Sequence, residues 1–163
     1  MGHGQDTATP AKHVERVHLA YEETHSRLWR ALLAYSGSRE IADDATAEAF
    51  AQALRRGEVI TDVAAWVWRA AFNLARGELA RDRHEPVDPA DAVESLPEPA
   101  VDLLRELQQL APADRELLVL CHVGGWTPTE LARITGAPAA TVRVRLHRAN
   151  RKARHLLTEE QGS

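Results

Sequence analysis

Cysteine is all but missing from this chain of 163 residues: Cys121 stands alone, so an intramolecular disulfide is excluded and a reducing compartment suits it. Its neighbour His122 completes no metal-ligand spacing, and the pair reads as core filling. Glycine is scarce too, at nine residues, while Ala, Leu, Arg and Glu abound, which favours a helical fold. No apolar run approaches the ~20 residues that cross a bilayer. The opening residues are polar and lack the basic-then-apolar order of a signal peptide. No membrane insertion is expected, and the expected location is cytoplasmic. Missing also are an HExxH pair, a phosphate-binding glycine loop and a nucleophile motif, despite eight histidines and 24 acids. No catalytic residue, metal or cofactor is expected, and an enzyme is the least favoured reading.

What is present is charge, sorted by position. The net charge of −4 is wrong for a nucleic-acid binder only on average. Residues 127–157 carry seven basic side chains against one acid, Glu130, whereas residues 84–102 carry six acids and no Lys or Arg. A basic C-terminal segment is the electrostatic footprint of phosphate binding. Residues 84–99 also hold four prolines, which deny both helical and ladder hydrogen bonds. The stretch reads as an extended acidic linker over 84–102, with independently moving helical domains over 12–83 and 103–158.

The N-terminal part shows helical periodicity three times. Val14, Val17, Tyr21, Leu28, Leu32 and Leu33 mark a first helix or pair, broken near Ser36, Gly37 and Ser38. Ile41, Ala45, Ala49, Ala53 and Leu54 mark a second, with Asp43 and Asp44 in its first turn. Val63, Trp66, Val67, Ala70 and Leu74 form the apolar stripe of a third, so Trp66 is expected in the core. Trp68 lies about 140° from Val63 around the wheel. There it marks either a partner surface or a second packing face.

The strongest signal spans residues 126–148. Thr127 is an N-cap candidate, Pro128 fits the first helical position, and Glu130 completes a capping box, with Trp126 and Leu131 placed for a hydrophobic staple. Gly136 ends this short helix in a left-handed turn. Pro138 opens a second helix with Val142, Leu146, Ala149, Ala153 and Leu156 inside. Ala132 lets the two helices approach, and Val142 locks them. Outside stand Thr141, Val144, His147, Arg148, Arg151 and Lys152, a basic face of the kind that enters a major groove.

These residues carry a resemblance. Residues 110–118, with the helix-turn-helix through Ala149, resemble region 4 of extracytoplasmic-function (ECF) sigma factors. Residues 41–50 resemble their region 2.2, and residues 66–75 the helix of regions 2.3 and 2.4. The resemblance implies an all-α fold: a region 2-like bundle and a region 4-like helix-turn-helix domain, joined by the acidic proline-rich linker. It also implies transcription initiation, with core RNA polymerase and double-stranded and melted promoter DNA as partners and an anti-sigma factor as a further candidate partner.

Residue by residue, the resemblance places Asp44, Glu48 and Phe50 on the polymerase-facing helix, and Trp68, Asn73 and Arg76 on the −10 side. It places Thr141, Arg143, Val144, Arg145, His147, Arg148 and Arg151 at the −35 element. Among these, Arg143, His147 and Arg148 are expected to read bases, and Arg145 and Arg151 to hold phosphates. The sequence departs from the family's usual residues at Ala47, Leu54, Phe72, Gly77 and Val144. The loop of residues 57–65, which by analogy captures an unstacked base, has no aromatic residue and no Lys or Arg. Two alternatives stand beside this reading: a stand-alone helix-turn-helix regulator, and a degenerate sigma-like protein that binds polymerase without initiating.

Overall fold

The computed structural model describes residues 8–81 and 98–162, so residues 84–97 of the expected linker lie outside the described residues. The described residues form α-helices and one short 3-10 turn, with no strand among them. In the N-terminal half, α1 (Ala8–Ser36), α2 (Arg39–Arg56) and α3 (Val63–Arg81) pack pairwise against one another. The break between α1 and α2 falls at Gly37, at φ 67°, a value that glycine adopts without steric cost. Ser38 then caps α2, its hydroxyl accepting from the Ile41 amide at 3.2 Å. Glu40 stands in the first turn of α2, and Asp43 and Asp44 fall beyond it.

Four of the seven buried residues of α2 are alanine: Ala42, Ala45, Ala49 and Ala53, beside Ile41, Thr46 and Phe50. The alanine side chains let α1 and α3 close in on both sides. The buried His13 ties α1 to the end of α2, its Nε2–H donating to the Ala53 carbonyl at 2.8 Å.

The C-terminal half comprises α4 (Glu98–Gln108), α5 (Pro112–His122), α6 (Pro128–Thr135) and α7 (Ala139–Gln161). Because α4 begins at Glu98, residues 98–102 are helical rather than linker. The helix-turn-helix has the expected local chemistry. Thr127 and Glu130 make a reciprocal capping box, and Gly136 closes α6 at φ 74°, ψ 3°. Val142, Leu146 and Ala149 of α7 are buried beneath it.

The structure corrects several positional expectations. Val14, Tyr21 and Leu54 are exposed, because the stripes of α1 and α2 are narrower than their apolar residues suggest. The buried stripe of α3 runs through Val67, Trp68, Ala71, Phe72 and Ala75, rotated from the one expected. Trp66 sits half-buried at its edge, whereas Trp68 is fully buried. Phe50, expected to face polymerase, is also in the core, with its ring edge-on to Tyr21 at 5.0 Å. Phe72 fills the space between Tyr35 and Trp68, at centroid distances of 5.4 and 6.3 Å.

The two halves are joined as one hydrophobic cluster instead of standing apart. Helix α1 meets α4 and α5, and α3 meets α6. Trp126, placed by sequence for a staple, lies edge-on to Trp68 at 5.5 Å. Gly124 makes this approach possible: a Cβ there would lie 2.8 Å from the Trp68 ring. The guanidinium of the buried Arg115 lies 5.3 Å above the Tyr35 ring, and Gln108 donates to the Ala34 and Tyr35 carbonyls at 3.4 and 3.3 Å.

Candidate nucleic-acid interface

Helix α7 presents the first surface. Arg143, Val144, Arg145, His147, Arg148 and Arg151 are all exposed, and Thr141 is half-buried at the start. The helix can hold a basic face because its inner residues are anchored on α5 and α6. Arg143 is steadied by Thr129 on α6, to which it donates at 3.3 Å. Lys152 is held by Asp114 of α5 at 2.8 Å. The −35 candidates therefore lie together on one helix, but they divide between two sides. Arg145 and Arg148, with Lys152, line a cleft of about 390 Å³ whose opposite wall includes Arg76 of α3.

A second surface is the groove between α2 and α3, about 430 Å³, lined by Gln52, Arg56, Trp66, Arg69, Asn73 and Arg81 among others. An aromatic ring beside arginines is the combination that grips unpaired nucleic acid, by stacking and by charge. Of the three expected −10 residues only Asn73 lines this groove; Trp68 is inside the protein and Arg76 turns towards α5. The sequence reading missed Trp66, Arg69 and Arg56. The signal was available: Trp66, Arg69 and Asn73 follow the i, i+3, i+7 spacing of one helix face.

Arg76 and Asn73 are nonetheless linked. The Arg76 guanidinium donates to both Glu116 oxygens, at 3.1 and 2.8 Å, and to the Asn73 side-chain oxygen at 2.9 Å. The loop of residues 57–62 is also held. Arg16 donates to the Ile60 and Thr61 carbonyls at 2.7 and 2.8 Å, and Arg133 of α6 pairs with Asp62 at 3.2 Å. Asp62 at the same time caps α3 through the Ala65 amide at 3.1 Å.

The third surface is the outward side of α2. Asp44 is exposed, and Glu48, one turn on, accepts from Arg55 at 2.7 Å and Gln52 at 3.2 Å. Those hydrogen bonds, Arg55 first, hold the Glu48 carboxyl below its ordinary pKa and keep it ionised. Beside them is a groove of about 570 Å³ lined by Tyr21, His25, Trp29 and Ala47 among others. Phe50 supports this groove from beneath through Tyr21, which also stacks on His25 at 4.3 Å. At the junction of the halves, burial lowers the Arg115 pKa; burial, with Glu116 second, raises that of Tyr35. No helix among the described residues is long and apolar enough to cross a membrane.

Comparison with known proteins agrees with this layout. Residues 100–152 match the family described as Sigma-70, region 4. The chain is 33% identical over 132 residues to the RNA polymerase sigma factor CarQ of Myxococcus xanthus, covering 73% of this chain and 76% of that one. It is 30% identical over 154 residues to the ECF RNA polymerase sigma factor SigL of Mycobacterium tuberculosis, covering 85% and 87%. Its fold resembles that of CnrH, solved in complex with the cytosolic domain of CnrY, with a TM-score of 0.70, 20% identity and 94% of both chains covered. It also resembles the sigma factor RpoE solved with the anti-sigma factor NepR from Bartonella quintana, with a TM-score of 0.66, 20% identity and coverage of 85% and 94%. Two helical halves in this order, a capped helix-turn-helix with a basic second helix and these relatives together place the chain in the family of extracytoplasmic-function RNA polymerase sigma factors.

Proposed function

We propose that this sigma factor works in the cytoplasm through the three surfaces just described. The outward side of α2, with Asp44 and Glu48, meets core RNA polymerase, Phe50 supporting it from inside. The α2–α3 groove, with Trp66, Arg69 and Asn73, takes melted −10 DNA. The face of α7 enters the major groove at the −35 element. There Arg143, His147 and Arg148 face base edges and Arg145 and Arg151 face phosphates, with Thr141 and Val144 filling the contact. The two DNA-facing units are the half built from α1 to α3 and the half built from α4 to α7. The likeness in fold to RpoE, solved with the anti-sigma factor NepR, supports an anti-sigma factor as a further partner here.

The observation that carries this reading is the basic face of α7, held rigidly by the capping box and Gly136 turn of the preceding helix. A second aromatic-and-arginine groove elsewhere in the chain favours initiation over a lone operator-binding module. Run-off transcription with purified core polymerase is the test. A discrete transcript is expected only when this protein is added; absence of both transcript and core binding overturns the reading.

A further inference from the structure

Helix α1 carries two side chains, one turn apart on one face, that bond to backbone. The buried His13 meets the carbonyl of Ala53, in the last turn of α2, where carbonyls have no helical partner. Arg16 reaches further along the chain: a single guanidinium nitrogen donates to the carbonyls of both Ile60 and Thr61, at 2.7 and 2.8 Å. These carbonyls belong to the loop between α2 and α3, which begins at Gly57 with φ 70° and ψ −149°. The next residue, Asp62, opens α3 by accepting from the amides of Ala65 and Trp66, at 3.1 and 3.0 Å. Arg16 therefore fixes both the loop and the start of the helix that carries Trp66. The loop connects Arg56 to Trp66, which both line the α2–α3 groove, so it stands at one end of that groove. Within it Ile60 is buried, while Val59 is 83% exposed, more than any other large apolar side chain among the described residues. A lone exposed valine is ordinary on a surface. This one stands on a clamped backbone, at the end of a groove lined by an aromatic ring and arginines. Valine offers no hydrogen bond, and of the four DNA bases only thymine presents a methyl group.

We infer that Arg16 is a positioning residue for −10 recognition: through the Ile60 and Thr61 carbonyls it fixes Val59 at the end of the groove, where Val59 packs against a thymine methyl of the melted DNA. The inference rests on the assignment of the α2–α3 groove to −10 DNA. Arg16 acts through the loop and not on the DNA. A loop held in advance does not have to be ordered when the DNA arrives, so the contact with the methyl group is not offset by that cost.

The test is run-off transcription with the full chain and core polymerase. Each −10 thymine, on either strand, is replaced in turn by deoxyuridine, which lacks only the methyl group. With the parent protein one replacement should lower transcription about fourfold at limiting protein, the worth of one buried methyl. Val59→Ala and Arg16→Ala should each shrink that ratio below about twofold, at the same thymine. Arg16→Lys should keep most of it, because one ammonium can bond both carbonyls as one guanidinium nitrogen does. An Arg16 that only attracts phosphate or only supports the fold predicts that all templates lose activity alike, with the ratio unchanged. Circular dichroism checks folding. Should Arg16→Ala fail to fold, Arg16→Met, which keeps the apolar stem without the donors, takes its place with the same expected loss. The inference is overturned if the parent discriminates no replacement, or if either Val59→Ala or the Arg16 variant leaves the ratio unchanged. A parent that yields no transcript overturns the sigma reading and this inference with it. A parent that transcribes with ratios that neither variant alters overturns this inference alone.

Discussion

Removing the Trp68 ring tests both the packing of α3 and the junction of the halves. The side chain is fully buried, parallel to Phe72 at 6.3 Å and edge-on to Trp126 at 5.5 Å, with the Arg27 guanidinium 5.8 Å from its centroid. A buried tryptophan removes ~150–250 Å² from water. At ~25 cal/mol per Å² that is worth about 4–6 kcal/mol. Against this stands the indole N–H, buried without a hydrogen-bond partner among the described residues, a burden of about 1–3 kcal/mol. The expected net cost of Trp68→Ala is about 3 kcal/mol, near the low end for aromatic truncation in a core. Trp68→Phe keeps a ring in the same place and sheds the unpaired donor, so it should cost less than about 1.5 kcal/mol. Urea unfolding of the full chain, followed by far-ultraviolet circular dichroism, measures both. If Trp68→Ala cost less than about 1 kcal/mol with an unchanged m-value, the ring would not be buried between α3 and Trp126 in solution.

Other expectations follow from the same geometry. Arg148→Ala should cost about 1–3 kcal/mol on the preferred −35 sequence and relax preference at one base, while Arg151→Ala should weaken all sequences alike and reduce the salt slope by about one. Binding to a promoter panel at several salt concentrations separates them, and equal losses on every sequence for both would move the reading face elsewhere. Thr127→Ala breaks the capping box and should lower stability by about 1 kcal/mol, read as a shift in the urea midpoint, with little change if Glu130 alone sufficed.

The helix-turn-helix was legible because its determinants are neighbours. Cap, box partner and turn glycine lie between Thr127 and Gly136, and each acts on backbone groups within its own turn. The register of α3 was not legible, because long-range packing decides which of its faces is covered. Trp68 is off the stripe when that helix is considered alone; in the fold it packs against Phe72 and Arg27 of its own half and is covered by Trp126 and Gly124 from the other. Arg76 shows the same limit. Its position implied contact with DNA, while its carboxylate partner is forty residues away and carries no local mark. Phe50 is off the outer surface for a simpler reason: it stands on the side of α2 that faces Tyr21 and the core.

The alanines of α2 have a consequence for how such a chain diversifies. With Ala42, Ala45, Ala49 and Ala53 pressed between two helices, the inner side has no room for even a modest gain in volume. The outer side, at Asp44 and Ala47, makes few demands on the core. One helix thus carries two separable kinds of information, a fixed inner text that sets the spacing of the bundle and an outer text open to rewriting. Substitutions at those outer positions change the surface that α2 offers to a partner while the fold beneath stays the same.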